Sequence, residues 1–257
     1  MANTPTFSIV IPVYNGEKYI YAAIESCLQQ TVLPDEIIVI DDASTDKTAE
    51  IILSIRSDLV VYIKNDQNKG VSFSRNKGIK MAKHSWVMLL DADDIFYPEK
   101  ISIIKQCIET DHSFRAIGHG FDVQNDKEHI PEKWNEDILL KPVKVKDVLL
   151  RNPMVTPSLT VSADNRILFN EEMIQAEDHD FILRSTEKFP VVYLDMALCS
   201  LNRMPLTKGG LSSNKWKMRV GEMRMYTDYC KRKKWHPVIP FFLLFSLLKH
   251  LKQLVGA

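Results

Sequence analysis

Three carboxylates follow one apolar segment of the sequence, and their spacing suits a metal ion. Residues 86–90 (WVMLL) predict a buried strand, and Asp91-Ala92-Asp93-Asp94 follows it directly. Since side chains alternate along an extended segment, Asp91 and Asp93 are expected to share one side. Mg²⁺ and Mn²⁺ bind one or two carboxylates and complete their coordination with water and substrate phosphates. The pattern therefore predicts a metal-diphosphate site, with a solvated acidic turn before the next helix as the alternative.

Two further segments carry polar groups that suit a nucleotide. Asp41-Asp42 ends a second predicted strand, where a carboxylate can accept from a base N–H or a ribose hydroxyl, or can cap the helix that follows. Asn68-Lys69-Gly70 and Arg75-Asn76-Lys77-Gly78 supply basic groups for phosphate and glycines for the loops around it. A solvated helix face is the alternative for these basic residues.

These residues need a scaffold that gathers them, and the first hundred residues predict one. Four apolar runs of strand length alternate with helix-period segments, at 7–13, 36–41, 60–64 and 86–90. This alternation is typical of a parallel βαβ sheet, whose ligands bind outside the carboxyl ends of the strands. Ser44 or Thr45 is expected to cap the helix after the second strand.

The second half of the chain is patterned less clearly. Residues 115–170 combine short apolar pieces with several prolines, which predicts a mixed α+β segment. Beyond it we expect a helix at 178–188, strands at 191–194 and 198–203, and a polar loop at 205–213. The contacts that select a particular sugar or acceptor are expected in this half.

Composition limits the classes of protein to which the chain can belong. With 257 residues, 45% hydrophobic and 26% charged, it suits one large α/β domain and is not disordered, fibrous or polytopic. Equal numbers of basic and acidic residues, 33 of each, exclude a globally basic nucleic-acid binder. From Arg203 onward, however, 12 basic residues face 2 acidic ones, a charge of +10, and residues 1–202, with 21 against 31, carry −10. Two surfaces with different partners are therefore expected.

Cysteine usage and the chain start predict a cytoplasmic protein. The four cysteines are far apart in sequence and include no CxxC pair, which favours reduced thiols. The segment MANTPTFSIVIPVYNG has no basic start, and Pro12 interrupts its apolar run, so it does not resemble a signal peptide.

Four segments in order make the chain resemble glycosyltransferase family 2, the inverting enzymes of the GT-A fold. They are residues 9–15 (IVIPVYN), 38–46 (IVIDDASTD), 68–79 (NKGVSFSRNKGI) and 90–94 (LDADD). Glu177-Asp178 resembles the later acidic pair of that family. The resemblance implies a single Rossmann-like, mostly parallel sheet flanked by helices. Residues 1–212 would be the GT-A domain, with a nucleotide-binding half (1–110) and an acceptor-binding half (111–212), and 213–257 would form a basic helical extension.

The resemblance also implies roles for individual residues. Asp178 would be the catalytic base, and Asp93 would bind Mn²⁺ or Mg²⁺. Donor contacts would come from Pro12, Tyr14, Glu17, Asp42, Arg75, Asp91 and Ala92. From the residues alone, the acidic run at Glu177-Asp178 is better explained as the capped start of a helix, and only the resemblance reverses this preference. Arg203 and Ser212 match loosely a loop that in the family closes over donor phosphates.

The function implied is the inverting transfer of one sugar from a nucleotide-sugar, a UDP-sugar above all, to a glycan or lipid-linked glycan in surface-polysaccharide synthesis. The surface polysaccharide would be lipopolysaccharide, capsule or O-antigen. A non-catalytic sugar-nucleotide-binding or scaffold protein is the alternative, against which Asp93 and Asp178 together argue. A nucleotidyltransferase is a third, but the glycine-rich phosphate loop that it needs after the first strand is missing.

The end of the chain carries its own pattern. Lys231-Arg232-Lys233-Lys234-Trp235 precedes an apolar stretch in which Ser246, Lys249, His250 and Gln253 recur at helical spacing. A basic cluster beside a tryptophan and an apolar helix fits peripheral contact with the inner, cytoplasmic leaflet of a membrane. The alternatives are a helix docked on the core of the protein and the contact surface of a homodimer.

Overall fold

The computed structural model describes residues 4–123, 140–165, 167–204, 207 and 214–255. Strands and helices alternate through the first half: β1 (Phe7–Val13), α1 (Ile20–Leu28), β2 (Glu36–Asp41), α2 (Thr48–Ser54), β3 (Val60–Lys64), α3 (Val71–Met81) and β4 (Trp86–Leu89). The second half contains β5 (Ile95–Phe96), α4 (Lys100–Thr110), β6 (Ala116–Val123), β7 (Lys141–Val143), α5 (Val145–Leu150), β8 (Thr160–Ser162), α6 (Glu177–Lys188), β9 (Val191–Leu201), α7 (Lys215–Arg232) and α8 (Ile239–Val255).

The strands in the described residues form one mixed sheet, which confirms the α/β fold class. Its order is β3-β2-β1-β4-β8-β6-β9-β5, with β7 also paired to β9. The first four neighbours are parallel, whereas β8 runs antiparallel to β4 and to β6. The chain leaves β1 first towards β2 and later returns to its other side as β4. This reversal of strand order opens a crevice at the carboxyl ends of β1 and β4, the usual place for a ligand in such sheets.

Helices cover both faces of the sheet. All seven residues of β1 are buried, as its unbroken apolar run predicts, and they alternate between the two faces. Ile9 and Ile11 pack in a core with α1 and α4, and Val10 packs in a second core with α6 and α7. A β-carbon added to Gly78 would lie 2.3 Å from Cγ1 of Val10, so only glycine lets α3 approach the sheet this closely. That approach places Arg75 of α3 beside the crevice.

The structure corrects two expectations. The two strands predicted at 191–194 and 198–203 form one strand, β9, whose pairing with β6 shifts register near Gly120 and so hides its continuity in the sequence. Neither Ser44 nor Thr45 caps α2, because the helix begins only at Thr48, whose N–H donates to Asp46 at 3.0 Å.

Two observations concern the compartment and the membrane. Each of the four cysteines lies in the described residues and is buried and free, in keeping with the predicted reduced thiols. Among the described residues, no helix combines the length and the hydropathy needed to cross a bilayer. The loop predicted at 205–213 lies outside the described residues, apart from Thr207.

Candidate functional site

Loops after β1 and β2 are joined by hydrogen bonds at the carboxyl edge of the sheet. The N–H of Asn15 donates to Oγ of Ser44 at 2.9 Å, and Oδ1 of Asn15 accepts from the N–H of Thr45 at 2.9 Å. The N–H of Gly16 donates to Oγ1 of Thr48 at 2.8 Å. Ser44 and Thr45, which were expected to cap the helix after β2, therefore hold the two loops together.

Tyr14 is an exposed aromatic residue of this edge, with 52% of its surface accessible. Pro12 is buried within β1, and the exposed Glu17 accepts from the N–H of Lys47 at 3.1 Å. These three expected donor contacts therefore lie on or beside the same loop, and Tyr14 has the free surface that a stacked base would need.

Asp42 organises the loop that precedes α3. Its Oδ1 accepts from Nδ2 of Asn65 at 2.8 Å and its Oδ2 accepts from the N–H of Gly70 at 2.7 Å. The N–H of Lys69 also donates to this carboxylate, at 3.0 Å. Gly70 has a φ of 90°, a conformation that glycine adopts without strain. Asp42 thus fixes the Asn68–Gly70 loop, a role that is additional to the expected base contact.

The acidic segment after β4 is a turn and not an extended strand. The N–H of Asp94 donates to the carbonyl of Asp91 at 3.1 Å, so the extended conformation expected for this segment is wrong. Asp91 accepts from Arg75, Asp93 from Nη2 of Arg203 at 3.2 Å, and Asp94 from the N–H of Asn202 at 2.8 Å. Ala92, another expected donor contact, lies partly buried at the centre of the turn. The turn therefore spreads its carboxylates between α3 and the end of β9.

Burial and mutual repulsion raise the pKa values of two carboxylates in this turn. Burial and the neighbouring charge of Asp91 raise the pKa of Asp93. Burial and the charges of Asp91 and Asp93 raise the pKa of Asp94 to about 8. In the described residues no three His, Cys, Asp or Glu side chains lie together as a metal site. The turn fits a cation that takes one or two carboxylates and receives its other ligands from water and a diphosphate.

Arg75 joins the acidic turn to the acidic pair Glu177-Asp178, and Glu177 lies 102 residues after Arg75 in the sequence. Its Nη2 donates to Oδ1 of Asp91 at 2.7 Å, and its Nη1 donates to Oε1 of Glu177 at 3.0 Å. The guanidinium carbon lies 5.1 Å from the ring centroid of Phe169, and only 4% of the side chain is exposed. The Arg75 bridge, formed by Asp91, Arg75 and Glu177, therefore sets the distance between the turn and the start of α6.

Asp178 occupies the first turn of α6, where the helix dipole favours a carboxylate. Its Oδ1 accepts from the N–H of His179 at 2.7 Å, and its Oδ2 accepts from Nδ2 of Asn152 at 2.9 Å. Burial raises the pKa of Asp178, although the His179 N–H and the charge of Arg75 act against this shift. Burial also raises the pKa of Glu177. A carboxylate with a raised pKa binds a proton more strongly and is thus a better general base.

Sequence reasoning missed two neighbours of this carboxylate. Asn152 lies before Pro153 in the poorly patterned segment, where no periodicity indicates that its amide reaches α6. Ala176 precedes the acidic pair with a φ of 59°, the left-handed region that residues with a β-carbon avoid. Asn15 and Ala43, in the loops after β1 and β2, share this feature with φ of 50° and 65°. Such strained backbone is concentrated at functional sites.

The model of one protein family, described as "Glycosyl transferase family 2", matches residues 8–163. A relative from Escherichia coli, named "UDP-Glc:alpha-D-GlcNAc-diphosphoundecaprenol beta-1,3-glucosyltransferase WfaP", is 42% identical over 107 residues, which are 42% of this chain and 43% of that protein. A relative from Haemophilus influenzae, named only as an uncharacterised glycosyltransferase, is 29% identical over 95% of this chain and 96% of its own length. The chain thus covers less than half of the E. coli relative but nearly all of the H. influenzae one.

Solved structures show the same fold. TarS of S. aureus, in complex with UDP-GlcNAc, has a TM-score of 0.68 with 23% identity over 86% of this chain and 66% of the TarS chain. The same protein in complex with UDP has a TM-score of 0.66 with 22% identity over 86% and 65%. The GT-A fold expected from the four sequence segments is therefore confirmed.

Proposed function

The chain belongs to glycosyl transferase family 2, and we propose that this glycosyltransferase moves one sugar, with inversion, from a UDP-sugar to a hydroxyl group of a glycan or lipid-linked glycan. The observation that carries the proposal is the Arg75 bridge, because it brings Asp91 and the Glu177-Asp178 pair to one crevice. The names of WfaP, which specifies UDP-Glc, and of the TarS complexes with UDP and UDP-GlcNAc support a UDP-sugar as donor.

Asp178 is the proposed base. It accepts the proton of the acceptor hydroxyl while that oxygen attacks the anomeric carbon and the bond between the sugar and the diphosphate breaks. One displacement inverts the anomeric carbon, and no covalent enzyme intermediate is needed. The hydrogen bond from Asn152 aims the carboxylate, and the Arg75 bridge holds it at a set distance from the donor.

Mn²⁺ or Mg²⁺ is the proposed cofactor, with Asp93 as its protein ligand, and its charge would offset the charge of the leaving diphosphate. The raised pKa values of Asp93 and Asp94 support a cation at the turn. The proposed donor contacts are Pro12, Tyr14, Glu17, Asp42, Arg75, Asp91 and Ala92.

The acceptor and the setting are proposed from the relatives. The name of WfaP specifies a lipid-linked acceptor, which supports a role in surface-polysaccharide synthesis at the cytoplasmic face of a membrane. A homodimer is the second arrangement proposed for the helical extension. A scaffold protein without activity remains the alternative, and nucleic acid is not proposed as a partner.

A donor screen tests the proposal. With Mn²⁺ present, a UDP-sugar from a panel is expected to raise the melting temperature and to be transferred or slowly hydrolysed. Removal of the metal with EDTA should abolish turnover, and Mg²⁺ or Mn²⁺ should restore it, because the leaving diphosphate then regains its counter-charge. Stabilisation by UDP-sugars without any turnover, even with a lipid-linked acceptor, would instead support the scaffold alternative.

Asn152→Ala should slow transfer without weakening donor binding. The variant removes one of two hydrogen bonds to the Asp178 carboxylate, so the carboxylate is held less firmly in place for the acceptor hydroxyl. We expect kcat to fall about tenfold while the KM for the donor stays constant. Asn170→Ala, at a loop residue whose side chain accepts from the nearby Glu172 N–H, is the matched control. A change in donor KM alone would contradict the positioning role of Asn152.

A further inference from the structure

Helix α8 turns Ser246 and Lys249 towards helix α7. Ser246 is fully buried, and its hydroxyl donates to Oε2 of Glu222 on α7 at 2.5 Å. Nζ of Lys249 donates to Oε1 of the same carboxylate at 2.5 Å, and Arg219 also pairs with it. Although burial opposes the shift, the hydrogen bonds from Lys249 and Ser246 lower the pKa of Glu222. Ser246 and Lys249 of the polar stripe therefore dock on an ionised, buried carboxylate.

Aromatic stacking strengthens this docking. The rings of Tyr226 and Phe242 are stacked, with centroids 4.8 Å apart and planes inclined by 21°. Phe245 lies 6.5 Å from Tyr226, and Trp216 meets His250 at 5.3 Å near the far end of the α7–α8 hairpin. Contacts from Phe242 to His250 thus fix the rotation of the helix, so its opposite side cannot turn inward.

The opposite side of α8 is a row of exposed apolar residues. Phe241, Leu244, Leu248 and Leu251 expose 64%, 56%, 54% and 55% of their surfaces. Their spacing of three, four and three residues lines one side of a helix. Single exposed leucines are common in proteins, but a continuous apolar row marks a contact surface. We call these four residues the α8 row.

Positive charge flanks the α8 row. After Cys230 the chain has six basic residues and no acidic one. Arg232 and Lys233 pair with Glu187 of α6, whereas Lys231 and Lys234 are exposed and have no carboxylate partner among the described residues. Trp235, half exposed, lies between this charge and the helix. A second copy of the chain would present the same positive charge, so charge complementarity favours an anionic surface over a homodimer.

We propose that α8 lies in the plane of an anionic lipid surface, with the α8 row among the acyl chains and Lys231 and Lys234 against the headgroups. Tryptophan at the boundary and basic residues beside an apolar helix face are the features of such interfacial helices. The 17 residues of α8 would extend over about 25 Å of the surface. This inference does not depend on the proposed transfer reaction, because binding to lipid requires neither donor nor acceptor.

Co-sedimentation of the full chain with phosphatidylglycerol vesicles tests the proposal. Wild-type protein should bind these vesicles, bind phosphatidylcholine vesicles weakly, and be released by about 0.5 M salt. The double variant L244E L248E should bind at least about tenfold more weakly, since two charges would enter the acyl region. The matched control is Leu53→Glu, at a leucine that is 68% exposed on α2. The contribution of the basic residues is tested with K231E K234E. Its control is K80E K83E, which changes the net charge equally but lies far from α8 in the sequence.

Equal binding of L244E L248E and wild type, or no binding by wild type, would overturn the proposal. A wild-type dimer that this variant dissociates, without vesicle binding, would assign the α8 row to a second copy instead. Should the variant melt early, F241S L251S repeats the measurement with smaller changes. Transfer to a water-soluble acceptor should persist in L244E L248E. If the wild type also lacks this activity, the result contradicts the proposed function but leaves the proposed lipid contact of α8 unaffected.

Discussion

Asp178→Asn is expected to abolish measurable transfer while the protein stays folded and still binds its donor. Asparagine keeps the shape of the side chain and its contact with Asn152, but it cannot accept the proton of the acceptor hydroxyl. Loss of a general base reduces kcat by about 10²- to 10⁴-fold. Because burial raises the pKa of Asp178, its charge costs folding free energy at neutral pH, so the neutral amide should not lower the melting temperature.

The rate-pH profile of the wild type offers a second test of the same residue. Asp178 must be deprotonated to act, so turnover should fall as the pH drops through its pKa, which lies above the ordinary value of 3.8. Asp180→Asn is the matched control, because Asp180 lies on the same helix turn but pairs with Arg184 at 2.7 Å. That control should lose stability and keep its kcat. An Asp178→Asn enzyme with unchanged turnover would refute the role of Asp178.

Arg75→Met is expected to damage both stability and activity. Methionine fills much of the volume, but Asp91 and Glu177 lose their shared partner in a crevice that also holds Asp93 and Asp178. Removal of one partner from a buried ion pair costs about 3–5 kcal/mol. Asp91 is 29% exposed, so water offsets part of this cost and the lower end of the range is expected.

The pH dependence of this loss has a definite sign. Without Arg75, the pKa values of Glu177 and Asp178 rise further, since the arginine charge opposes their upward shifts. Raised carboxylate pKa values stabilise the protonated folded state, and that contribution is lost as the pH rises. Urea unfolding at about pH 5 and about pH 8 should therefore show a larger loss of unfolding free energy at the higher pH. The acid limb of the activity profile should also move to higher pH.

Arg224→Met is the control for this experiment. Arg224 pairs with Glu172 on the surface, where an ion pair contributes about 0–1 kcal/mol. A similar small effect for Arg75→Met, or a deficit that shrinks at higher pH, would contradict the Arg75 bridge. Arg75→Lys should fall between the two, because one ammonium cannot hold two carboxylates in the geometry of a guanidinium.

Local patterns predicted the first half of the fold well. Expected and observed bounds agree for β1, β2 and β3, because each is a continuous apolar run closed by polar residues. The strands of the second half were predicted poorly from the sequence. Strand β9 pairs with β6 through register shifts, and short strands such as β8 depend on partners distant in sequence, so their own residues carry little signal.

The same division applies to the candidate site. Asp91 and Asp93 were proposed from a motif whose residue types suit the chemistry, and Asp178 from the resemblance to the family. Asn152 was not, because its hydrogen bond to Asp178 spans 26 residues and depends on how α5 and α6 pack.

Residue types and spacing alone thus predicted the α/β class, the carboxyl-edge location of the acidic motifs, and the family. Only the tertiary structure decided that Asp91–Asp94 is a turn, that one arginine couples it to Glu177, and that α8 faces outward with its apolar side. The physical reason is that composition and periodicity report each segment's own burial and conformation. The pairing of charged side chains and the side of a helix that is covered both depend on other elements. Those elements come into contact only when the chain has folded.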